Sequence, residues 1–96
     1  MKAKIWNFRR WCCITDERYL CFLFKKMLLK SGFNIVGFSE YKFNKYGYSC
    51  VFLLSESHLA LHTFPEHNKT YIELSSCVPK QFKKFIKLYK KCKIGI

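Results

Sequence analysis

Acidic side chains are scarce in this 96-residue chain: six Asp and Glu stand against eighteen Lys and Arg, a formal charge of +12. Glycine (four) and proline (two) are scarce too, and the chain shows no repeats, linkers or low-complexity tracts. Long apolar runs are missing. The longest nearly apolar stretch, Tyr19 to Phe24, is far too short to cross a bilayer, so no membrane segment is expected. Met1 to Trp11 carries charges throughout and no apolar centre, so no secretory leader is expected either. Without one, the six cysteines read as free thiols in a reducing cytoplasm rather than as a disulfide framework. No C-x-x-C or Cys/His spacing points to zinc, and no metal is expected.

What the chain has in quantity is apolar residues, 50% of the total, and aromatics, 19%. That is ample for one ordered domain spanning 1–96, and the surplus implies apolar surface covered by something other than the chain itself. Fifteen of the eighteen basic residues are Lys, and Lys83, Lys84, Lys87, Lys90 and Lys91 share the polar face of a predicted helix. A module that reads nucleic acid leans on Arg forks, so the charge reads as a solvated surface and no nucleic-acid partner is expected. The residues that would serve such a partner are Arg9, Arg10, Trp6 and Trp11.

Periodicity lays out the elements. Lys4 to Trp11 reads as a strand. Thr15 or Asp16 caps a helix that runs to about Lys30, with Tyr19, Leu20, Leu23, Phe24, Met27 and Leu28 recurring at helical spacing and Ser31-Gly32 as the stop. Asn34 to Phe43 alternates, Ile35, Gly37, Ser39, Tyr41 and Phe43 on one face. After a turn at 44–47, Tyr48 to Leu54 is a buried strand; Ser55 to His58 interrupts it, and Leu59 to Phe64 resumes. Thr70 to Ser75 is a further strand, and Pro79 opens a helix with a Phe82, Phe85, Ile86, Tyr89 stripe. The order β-α-β-β-(β)-β-α gives an α+β fold, a two-layer sandwich with helices on one face of a mostly antiparallel sheet.

One segment is out of character. Ser55 to Glu66 crowds two histidines, two serines and two glutamates into twelve residues beside an apolar strand, where polar groups destabilise unless bonded or used. It resembles the signature of the bacterial and archaeal S-adenosylmethionine decarboxylase proenzymes, roughly E-S-H-L-(S/A/T)-I-H-T-W-P-E. Here Glu56 to Glu66 reads E-S-H-L-A-L-H-T-F-P-E, departing at Leu61 and Phe64. Upstream, Tyr41-Lys42-Phe43-Asn44-Lys45-Tyr46-Gly47-Tyr48-Ser49 stands in register with the family's H-K-F-S-P-x-G-x-S. Downstream, Ser75-Ser76-Cys77-Val78 falls where the family has F-T-C-G. The likeness covers about Phe33 to Lys91.

The resemblance implies a pyruvoyl enzyme that makes its own cofactor. Ser57 attacks the carbonyl of Glu56, and elimination and hydrolysis leave a β chain of residues 1–56 and an α chain of 57–96 headed by a pyruvoyl group derived from Ser57. His62 and Ser49 match the residues that assist processing, an imidazole to move a proton and a hydroxyl to hold the oxyanion. The pyruvoyl ketone forms a Schiff base with the substrate amine and accepts electrons as carbon dioxide leaves. Cys77 matches the proton donor, Phe43 the aromatic that stacks on adenine, and Glu66 the carboxylate on the ribose. The family architecture implies a homodimer, a four-layer αββα body with sites between protomers. The implied reaction is decarboxylation of S-adenosylmethionine for spermidine synthesis. The N-terminal third departs from the family, Asn7 standing about where it has a glutamate. That leaves two alternatives open: ornithine or arginine as substrate, or a silent regulatory paralogue. His58 and His67 receive no role, and Cys12, Cys13, Cys21, Cys50 and Cys92 read as packing residues.

Overall fold

The computed structural model describes residues 4–95. Three of the strands alternate buried and more exposed side chains, which obliges one face of the sheet to be covered; the sheet has five strands in all. They are β1 (Trp6–Cys12), β2 (Ile35–Lys42), β3 (Tyr48–Leu54), β4 (Ser57–Phe64) and β5 (Lys69–Ser76). All neighbours are antiparallel, in the order β1-β5-β4-β3-β2. The cover is two helices, α1 (Glu17–Lys30) and α2 (Pro79–Cys92).

Local chemistry explains the helix limits. The Asp16 carboxylate accepts the Tyr19 N–H at 3.1 Å as N-cap, and Glu17 sits in the first turn where the helix dipole favours an anion. Beyond Lys30 the chain turns through Gly32 at φ +92°, a conformation that side chains resist. Pro79 opens α2, where its missing N–H costs nothing.

The core is aromatic. Phe85 and Phe24 are fully buried, and Phe85 meets Phe8 of β1 edge-on at 6.2 Å, joining α2, α1 and the sheet. From β4 and β5, Leu59, Leu61, Ile72 and Leu74 rise into the same layer, all fully buried. This is the expected two-layer α+β arrangement.

Three local expectations fail. The interruption between the third and fourth strands is not four residues but a two-residue turn, Ser55-Glu56, with Leu54 and Ser57 directly paired. β-pairing against β5 draws Ser57 and His58 into the ladder despite their polarity. Ile35 does not share a face with Gly37, Ser39 and Tyr41, because a bulge at Val36 shifts the pairing with β3 and turns Ile35 towards the core. Tyr19 and Cys13 are exposed rather than packed.

Phe85→Ala should lower stability by about 3–5 kcal/mol, read as a lower urea midpoint. Phe22→Ala, at a side chain 63% exposed on α1, should stay within about 0.5 kcal/mol of the parent.

Candidate active site

The two-residue turn of the β3–β4 hairpin carries neither Gly nor Asn, and neither Ser55 nor Glu56 has positive φ. The primed turns that suit such hairpins are therefore not available to it. The turn is held from outside instead. The Ser55 N–H donates to the Asn34 carbonyl at 3.1 Å, and the Asn34 amide donates to Ser55 Oγ at 3.0 Å.

On the other flank, the end of β5 closes on the Glu56–Ser57 peptide. The Glu56 carbonyl accepts from the Cys77 thiol at 3.0 Å and, at 3.5 Å, from the Cys77 N–H. The Ser57 hydroxyl donates to Ser76 Oγ at 2.7 Å, and the Val78 N–H donates to the same oxygen at 3.0 Å. Ser57 and Ser76 are paired residues of β4 and β5, so the ladder itself fixes their approach. A cavity of about 310 Å³ opens here, lined among others by Ile5, Leu53, Glu56, Ser57 and Cys77.

The other candidate residues gather at the far end of the hairpin. Ser49 and His62 face each other across β3 and β4, and Ser49 Oγ and His62 Nδ1 share a hydrogen bond of 2.8 Å. The imidazole lies nearly parallel to the Tyr71 ring, 6.4 Å away. Phe43 and Glu66 line the adjoining cavity of about 350 Å³ with Ser49, His62 and Phe64. Gly47, at φ +105°, lets the β2–β3 loop turn: the Phe43 N–H donates to its carbonyl at 3.1 Å.

The seven sequence candidates therefore form two groups: Glu56, Ser57 and Cys77 at one end, Ser49, His62, Phe43 and Glu66 at the other. Five residues of strand separate Ser57 from His62, about 17 Å at ~3.3 Å per residue. They also point to opposite faces, Ser57 in phase with buried Leu59 and Leu61, His62 in phase with His58 and Ala60 on the helix-free side. No His62 imidazole reaches Ser57 within one chain, and the group that holds the Glu56 oxygen is Cys77 rather than Ser49.

Sequence reading missed Ser76 and Asn34. The available signal for Ser76 was its place beside Cys77, where the family motif has a threonine. Asn34 offered none. Among the remaining thiols, burial pushes Cys50 up to about 12 and raises Cys12, so both are unreactive filler. Arg9 and Trp11 lie on one face of β1 and Trp6 and Arg10 on the other, so no single basic aromatic surface forms from these four. Arg9 stands directly opposite Glu73, which offsets its charge on the helix-free face. Among the described residues, no three His, Cys, Asp or Glu converge to hold a metal ion, and no helix is long and apolar enough to cross a membrane.

Comparison with known proteins gives the chain a family. A protein from Geobacillus sp. (strain WCH70) called S-adenosylmethionine decarboxylase proenzyme is 38% identical over 71 residues, covering 70% of this chain and 57% of its own length. A Bacillus anthracis protein, S-adenosylmethionine decarboxylase proenzyme 1, is 35% identical over 71 residues, covering 70% and 55%. The chain thus spans a little over half the length of these relatives. The crystal structure of the adenosylmethionine decarboxylase from Aquifex aeolicus VF5 superposes with a TM-score of 0.74 at 18% identity, over 92% of this chain and 78% of that one, and shares the fold. The family model described as S-adenosylmethionine decarboxylase matches residues 8–92, nearly the whole described chain, and the protein belongs to that family.

Proposed function

We propose that the chain cuts itself between Glu56 and Ser57 and, once processed, decarboxylates S-adenosylmethionine for polyamine synthesis. The observation that carries this reading is the Glu56 carbonyl, held by the Cys77 thiol and N–H beside the Ser57 hydroxyl.

The chemistry follows from those contacts. Ser57 Oγ bonds to the Glu56 carbonyl carbon, and negative charge grows on an oxygen that already has two donors. The C–N bond then breaks, the hydroxyl proton passes to the Ser57 nitrogen, and an ester replaces the amide. Loss of the Ser57 α-proton expels the Glu56 carboxylate and leaves dehydroalanine, which takes up water and releases ammonia to become a pyruvoyl group. The products are a β chain of 1–56 and an α chain of 57–96. The residues at this position fit such a group, since Ser57 supplies its carbons and lines the cavity. When present, it is an electrophilic carbonyl that serves as electron sink for an amino acid losing carbon dioxide. Cys77, exposed beside the new N-terminus, keeps a thiol in reach to protonate the product carbon.

His62 and Ser49 enter through a second copy of the chain. The helix-free face of the sheet exposes Val51, Leu53, Tyr41, Trp11 and Phe64, an apolar surface of the kind that marks an interface. Two copies joined by these faces form a four-layer αββα homodimer. The turn of one hairpin then meets the Ser49–His62 end of the other, across the ~17 Å that one chain cannot bridge. With Nδ1 engaged by Ser49, Nε2 of that His62 is left to move the proton. Phe43 and Glu66 come with it, a ring 52% exposed for stacking on adenine and a carboxylate for ribose hydroxyls. Six unpaired cysteines, one of them in the proposed chemistry, suit a reducing cytoplasm.

Intact-mass spectrometry of purified protein should find fragments 1–56 and 57–96, with Ser57→Ala leaving the chain whole. A wild-type chain that stays whole counts against the reading. Cys77→Ala removes one of two donors to the Glu56 oxygen, and because a thiol is a weak donor, scission should slow only about 10-fold. Decarboxylation, followed as labelled carbon dioxide from S-adenosylmethionine, ornithine and arginine, should favour the first and fall far more steeply in that variant. His62→Ala alone should process at least 100-fold more slowly. Co-expressed with Ser57→Ala, its Ser57 regains an intact His62 across the interface, and the His62→Ala chain should be cut; failure of this rescue would remove the shared site.

A further inference from the structure

We infer that Ser76 is a positioning residue for self-processing, the acceptor that fixes the Ser57 hydroxyl for attack. This rests on the self-cleavage proposed above and adds a residue that neither the motif nor the comparisons assign.

Consecutive residues at the end of β5 grip the two atoms that must react. Cys77 holds the carbonyl oxygen of Glu56 at 3.0 Å through its thiol, and Ser76 holds Ser57 Oγ at 2.7 Å. Ser76 is almost wholly buried, at 2% exposure, whereas Cys77 is exposed. Its oxygen cannot swing to water, and it is fixed again by the Val78 N–H at 3.0 Å. A serine hydroxyl left free samples three staggered rotamers, and in this one its hydrogen is spent on a buried partner. The oxygen's lone pairs are thereby turned away from Ser76, free for the neighbouring carbonyl carbon. Ser76 is neutral and gains or loses nothing in the step: the O–C bond forms, the C–N bond breaks, and the hydroxyl proton ends on the Ser57 nitrogen. Its contribution is orientation, the kind of effect in which a displacement near 1 Å costs about 100-fold in rate.

The test follows scission of the freshly translated full chain over time, with and without hydroxylamine. Hydroxylamine cleaves the ester directly, so it separates the acyl shift from the elimination that follows. Ser76→Ala should slow scission by about 10- to 100-fold in both conditions, and Ser76→Thr, which keeps the hydroxyl, should restore at least half the wild-type rate. If Ser76→Ala does not fold, judged by its urea transition, Ser76→Cys supplies a similar shape with a weaker acceptor and should be slow by the same reasoning. Ser76→Ala or Ser76→Cys, whichever is folded, cutting at the wild-type rate overturns the inference while wild-type cleavage after Glu56 keeps the self-processing reading intact. So does a folded variant that hydroxylamine cuts as fast as wild type, since the ester would then form normally. A wild-type chain that never splits overturns both.

Discussion

The hold of the β5 terminus on the β3–β4 turn is the constraint on which the rest depends. A two-residue hairpin without Gly or Asn has no intrinsic reason to close at Ser55-Glu56. It closes because Asn34 secures one flank while Ser76 and Cys77 secure the other. On the β5 flank, the hydrogen bonds that hold this turn are made to the Ser57 hydroxyl and the Glu56 carbonyl oxygen, on either side of one peptide bond. In the proposed self-processing, the contacts that hold the turn are also the ones that would react, and buried Ile72 and Leu74 anchor β5 in the core beneath them.

The sheet also explains why the candidate residues of a small chain divide between two ends. Alternation along β4 sends Ser57 towards the helices and His62 towards the open face, five residues on. In the proposed two-fold pair, every hairpin would lend one end and receive the other. The same pairing would cover Val51, Leu53 and Tyr41, whose exposure is otherwise a liability.

Much of this was legible in the residues. The helical spacing of Leu20, Phe24, Met27 and Leu28 and the alternation of β3 identified the layers, since burial imposes those periods directly. The E-S-H-L run and its two flanking anchors identified the family. The division of the candidates into two groups was not legible, because a motif records which residues are near in sequence and says nothing of pleat or reach. The bulge at Val36 was hidden for a related reason: it changes the facing of Ile35 without changing any residue type. The part proposed for Ser76 was invisible because a buried serine beside a cysteine reads as ordinary strand until its partner across the ladder is known.

The most direct measurement of the central claim is the mass of fragment 57–96 before and after phenylhydrazine, a reagent for reactive carbonyls. If the Glu56–Ser57 peptide is rearranged as described, that fragment gains one hydrazone per chain, and fragment 1–56 gains none. A fragment that begins with an intact serine and takes up no reagent contradicts the account.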